Sequence, residues 1–205
     1  ACDWSSDVCS SDLEIIRRYY AALNSLVKGD TSDKEAQKIE LLMNMAGITV
    51  NDRKVAVKAL ERAQETQGPA AALELEDGRI ITGKTTKLLG ASAALLLNVL
   101  KELAGIGHEV HIISPESIEP IQKLKVDYLK SKNPRLHTDE VLIALSASAA
   151  GNPQARLALS QLPKLDGCQA HTSVMLSDVD IKIFMKLGVQ LTCEAVYEHD
   201  HSLLS

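Results

Sequence analysis

Residues 72–85 read ALELEDGRIITGKT, and two folds compete for them. Ala72 to Glu76 alternates apolar and polar, Asp77-Gly78 is a hairpin signal, and Arg79 to Thr82 returns as a strand-forming run. The same stretch matches the phosphate-loop pattern G-x-x-x-x-G-K-[ST] from Gly78 to Thr85. A phosphate loop must curl its N–H groups around an anion, whereas a hairpin commits them to a sheet ladder. The β-branched run after a strong turn favours the hairpin, and ATP binding through Gly78–Thr85 is the alternative. Lys84, Thr85 and Thr86 in either case open a long apolar helix expected from Thr85 to about Ala104. There, unpaired N–H groups and the helix dipole would favour an anion.

Upstream, apolar residues recur at helical spacing in three segments: 13–28, from Ser32 or Asp33 to Gly47, and from Asn51 or Asp52 to about Gln67. Downstream come a buried strand at 110–113, a helix from Pro115 to Leu129 and a polar loop at 130–137. A helix from Thr138 to about Ala150 follows, then a short helix to Leu162, a strand at 170–176, a helix at 178–187 and a last strand at 191–196. The expected fold is α/β: a small helical subdomain (14–68), a three-layer mixed-sheet sandwich of deaminase-like topology (69–197) and a tail (198–205).

The chain has 205 residues, 45% hydrophobic and 24% charged, with a formal charge of −5. No stretch approaches the ~20 apolar residues of a membrane span. The acidic balance and 3% aromatic content argue against a nucleic-acid partner. Residues 3–13, DWSSDVCSSDL, resemble a translated sequencing adapter, so 1–13 read as an artefactual leader and the protein is expected to begin further upstream. Without it the 27 acidic residues fall by Asp3, Asp7 and Asp12 to 24, against 22 basic. Cys168 and Cys193 remain, which predicts reduced thiols in a cytoplasm.

The deaminase order invites a zinc test. That chemistry needs H-x-E and P-C-x-x-C at two helix starts, and Lys84-Thr85-Thr86-Lys87 and Pro115-Glu116-Ser117-Ile118 supply neither. Cys168, His171 and Cys193 could meet if the last strands are adjacent, with His199 and His201 nearby, but no C-x-x-C pairs them, so no metal is expected. A second polar cluster, Asn133, Arg135 and His137, feeds the helix opening at Thr138. Together with Lys84, Thr85 and Thr86 these residues form the predicted ligand site, gathered at one end of the sheet.

Five blocks carry a resemblance: LELEDGRIITGKTTKLLGASAALLLNVLKELAGI (73–106), HIISPESIEPIQKLK (111–125), SKNPRLHTDEVLIALSASAAGNP (131–153), LPKLDGCQAHTSVMLS (162–177) and LGVQLTCEAVYE (187–198). They resemble the C-terminal part of the bacterial DUF1846 family, which is functionally uncharacterised and some of whose members were labelled ATP-dependent peptidases. The resemblance implies a helical subdomain before a deaminase-like sandwich, and a larger N-terminal portion absent here. The expectation is the C-terminal portion of a cytosolic protein that binds an anionic small molecule, any active site being completed by that missing domain. The rival is a structural or oligomerisation module. Expected partners are the missing domain, a second copy and the small anion; cofactor and catalytic residues stay unassigned.

Overall fold

In the computed structural model, which describes residues 10–198, Ala70–Glu74 (β1) and Ile80–Lys84 (β2) pair antiparallel throughout, with Ala72 opposite Thr82. The turn between them is a three-residue loop in which Gly78 N–H donates to Leu75 O and Leu75 N–H to Arg79 O. Gly78 closes it in the left-handed conformation, φ 81°, where a Cβ is penalised. Asp77 accepts from the Arg79 N–H at 3.0 Å and from its Nε at 2.8 Å. The hairpin reading therefore holds.

Gln169–Thr172 (β3) and Gln190–Cys193 (β4) complete a mixed sheet ordered β2-β1-β3-β4, with β1–β3 antiparallel and β3–β4 parallel. Asp178–Lys186 (α8, named in chain order) is the crossover helix between the parallel pair. Residues 110–113 form no strand. Both edges of β1 are already occupied, by β2 and β3, so Ile112 and Ile113 bury themselves by packing alone. A short apolar run signals burial, and periodicity cannot say which kind.

Three helices lead the chain, Ser10–Lys28 (α1), Asp33–Ala46 (α2) and Lys54–Thr66 (α3), the last preceded by a 3-10 turn at Val50–Asp52. α1 begins within the stretch read as a leader; Cys2, Trp4, Cys9, His199 and His201 lie outside the described residues. α3 covers one face of the sheet, packing Val55 and Ala59 on Ala72. Ala91–Leu103 (α4) covers the other, where Leu95, Leu96 and Leu100 meet Ala71 and Leu73. The layers are helix, sheet, helix. A Cβ on Gly83 would lie 2.2 Å from the Leu95 backbone nitrogen, so the second glycine of the motif serves close helix-on-strand approach.

The helix expected from Thr85 thus starts six residues later. Thr86 Oγ1 accepts from the Leu88 and Leu89 N–H groups at 3.2 and 2.9 Å, a side-chain turn that competes with helix. Leu136 N–H then donates to Leu88 O, and Gly90 N–H to Leu136 O, which holds 88–90 extended. The helix expected to reach Leu129 is Pro115–Lys123 (α5) followed by a π turn at Leu124–Tyr128. Thr138–Ser148 (α6) and Pro153–Leu159 (α7) pack behind α4. Among the described residues no helix is long and apolar enough to cross a membrane.

Candidate functional site

Where β2 ends, α4 and the segment 108–118 enclose a cleft of about 640 Å³, within the size range of small-molecule sites. Leu88, Leu97, Ile112, Ile113 and Ile118 give it an apolar floor. Arg62, Lys84, Lys87, Lys101, His108 and His111 supply basic groups, and no Asp or Glu is among the described residues that line it. Lys101 Nζ donates to His108 O at 2.6 Å, tying the 105–111 loop to α4. Burial pulls that ammonium below its ordinary value, against the opposing charge of Glu109. Arg62 spends one terminal nitrogen on Glu65 at 2.9 Å, while its Nε is buried without a partner among the described residues. The ammonium groups of Lys84 and Lys87 make no ion pair among the described residues. A basic cluster of which Lys84 and Lys87 are without ion pairs among the described residues, set over apolar walls, suits an anion with an apolar body.

Lys84 and Thr86 line this cleft; Thr85, Asn133, Arg135 and His137 do not. The helix N-terminus expected at Thr85 is absent because Thr85 N–H donates to Pro69 O and Thr86 N–H to Leu89 O. The Leu89–Leu136 bridge sets the polar loop beside the 86–90 segment, but the loop's charges are answered within the chain. Arg135 pairs with Glu198 at 2.5 Å, and Asn133 Oδ1 accepts from the Arg135 N–H. His137 Nδ1 lies 3.0 Å from Asp180 Oδ2, and this bond raises its pKa despite partial burial. Asp180 Oδ1 accepts from the Thr138 N–H at 2.9 Å and its hydroxyl at 2.8 Å, and Ser177 Oγ donates to Oδ2. Burial alone would push the Asp180 carboxyl up, yet these hydrogen bonds together hold it down to about 2. The carboxylate clips the N-termini of α6 and α8 together.

A buried polar network lies on the α3 face, and sequence reasoning missed its centre. Arg53, 1% exposed, donates to Thr192 Oγ1 (2.8 Å), Gln169 Oε1 (2.6 Å), Ala170 O (2.9 Å) and Gln190 O (2.8 Å). Burial, with Arg17 nearby, lowers its pKa to about 10. His171 Nδ1 sits 2.7 Å from Thr192 Oγ1 and Nε2 3.2 Å from Glu194 Oε1, which also accepts from the Tyr20 hydroxyl. Burial pushes His171 below its ordinary value, against Glu194. Cys193 lies opposite Thr172, hence on the other face from His171. The buried Cys168 thiol donates to Lys164 O at 3.5 Å, and burial pushes both thiols up. No signal in the sequence marks Arg53, because its partners lie on strands more than a hundred residues away.

Residues 51–203 match the family profile described as "Domain of unknown function DUF1846, C-terminal". A "UPF0371 protein" of Corynebacterium aurimucosum is 52% identical over 98% of this chain and 41% of its own length. One from Streptococcus pneumoniae is 47% identical over 97% of this chain and 40% of its own. The chain thus spans about two fifths of these relatives. With three quarters of its residues inside the profile, the chain belongs to the DUF1846 family.

Proposed function

We propose that the chain binds an anionic small molecule in the cleft between β2, α4 and the 108–118 segment. The basic lining, without a carboxylate among the described residues, carries this reading. Lys84 and Lys87 contact the anionic group, Thr86 and His111 flank it, and the leucine and isoleucine floor takes an apolar part. Arg135, Asn133 and His137 lie on the far side of the Leu89–Leu136 bridge, outside the lining, and take no part in holding the anion on this reading. The hairpin geometry of Gly78–Thr85 does not favour the ATP alternative, because its strand residues are already paired. A deaminase-like topology belongs to this reading too: an antiparallel hairpin followed by a parallel pair supports it, while the unpaired 110–113 segment departs from it.

Titration of the chain with inorganic pyrophosphate, followed by NMR, tests the site. Signals of Lys84, Lys87 and His111 are expected to move, and binding to weaken as salt rises. A Lys84→Ala/Lys87→Ala variant should bind at least tenfold more weakly, roughly 1.4 kcal/mol. Cleft signals unmoved at about 10 mM, well above a millimolar Kd, or binding indifferent to the double variant, would overturn the reading.

A further inference from the structure

The helical lead presents two faces of different character. Inward, α1 is fixed to the sheet: Tyr20 hydroxyl donates to Glu194, and Asn24 Nδ2 to Cys193 O at 2.8 Å. Ile16, Tyr20, Met43 and Ala56 form a small core of their own between α1, α2 and α3. Outward, α2 leaves Leu41 60%, Leu42 53% and Met45 76% exposed. Beside its C-terminal end opens a groove of about 310 Å³ lined by Tyr19, Leu23, Val50, Val57 and Leu60, with Glu194 at one side. Val50, in the groove, lies five residues after Met45 through the Gly47 cap, so the groove begins where the chain leaves α2. Water-facing helices usually place polar residues there.

Two facts say what covers this face. The C-terminal family profile begins at residue 51, after α1 and α2, yet the relatives match 98% and 97% of this chain, so they share both helices. About three fifths of each relative lies outside the match. The helical pair is therefore common to the family, precedes its C-terminal domain and clasps that domain with one side only. We propose that the outer apolar face of α2 and the groove between α1 and α3 dock the part of the family polypeptide that precedes the helical pair. The helical pair is then a bridge, buried on both sides in the longer protein.

The test mixes this chain with the separately produced remainder of the Corynebacterium aurimucosum relative and follows association by sedimentation. Met45→Lys/Leu60→Lys charges the face at two exposed positions, and Met185→Lys, 66% exposed on α8, is the control. Wild type and control should form a one-to-one complex, and the double variant should bind at least tenfold more weakly with its melting temperature unchanged. In parallel, lysines at the aligned positions of the full-length relative should split one cooperative melting transition into two, a readout that does not need the remainder to fold alone. Complex formation indifferent to the double variant, a single transition retained, or a self-associated dimer of this chain broken by the same charges would each overturn the proposal.

Discussion

Arg53 and Lys84 are cations beside the same four-stranded sheet, and they are treated in opposite ways. Arg53 is fully enclosed and its guanidinium is engaged by four acceptors on β3 and β4. Lys84 stands at the end of the edge strand, in a cleft whose described lining holds five other basic groups and no acid. A buried charge is tolerated only when hydrogen-bonded on every side, and removing it strands its partners. An exposed one without an ion pair among the described residues costs the fold little and stays available to a ligand. On the proposed reading, whether a charge is answered is what separates scaffold from site.

The sharpest way to break that contrast is Arg53→Met. It takes the guanidinium donors away from Ala170 O, Gln190 O, Gln169 Oε1 and Thr192 Oγ1, although Thr192 Oγ1 keeps His171 Nδ1, and is expected to cost about 2–4 kcal/mol in denaturant unfolding; a loss below about 1 kcal/mol would demote the network to ornament. Gly83→Ala comes next, because the new Cβ meets the Leu95 backbone, at about 1–3 kcal/mol or more for overpacking. Unchanged stability there would mean that α4 can lift off β2.

Smaller, and opposite in sign, are the two histidines. His137 is raised by Asp180, so its contribution is complete below about pH 6.5 and is lost as pH rises through its folded value. His171 is lowered by burial, so its contribution is complete above about pH 6.5 and is lost as pH falls. His137→Gln should therefore cost more at about pH 5.5 than at about pH 8, and His171→Gln the reverse. Melting curves of both variants at both pH values decide this, and parallel shifts would refute it. Asp180, held to about 2, adds an acid limb worth about 2 kcal/mol, present above about pH 4 and lost as pH falls through its folded value. Smallest of all, Lys84→Ala should move stability by less than about 0.5 kcal/mol, and a larger loss in the melting curve would mean that the lysine supports the fold.

The hairpin was legible because both its signals, period-two alternation and Asp-Gly, act within a few residues. The start of α4 was not: what delays it is a pairing of Leu88 and Gly90 with Leu136, almost fifty residues on. The 110–113 run misled for a similar reason, since the competitor for the β1 edge arrives only at Gln169. Lys84 and Thr86 could be picked out from their motif, but Lys101, His108 and His111 join them from separate segments that only packing brings together. Arg53 carried no signal at all, its Thr192 partner being 139 residues downstream.

That long reach has a kinetic consequence. β1 and β2 can zip locally, and α3 and α4 flank them in sequence, so this half can form before the rest is placed. β3 must then cross nearly a hundred residues of chain to reach β1, as Ala72 opposite His171 shows, and β4 can join only afterwards. Closing so long a loop is an entropic step that slows folding. Arg53 bonds both late strands, and two of its acceptors, Thr192 and Gln190, lie on β4, which joins last, so its full set of bonds is expected to close only after β3 has docked, like a latch. Loosening it should quicken unfolding while leaving refolding nearly untouched, which makes the latch a determinant of how long the native state persists rather than how fast it is reached.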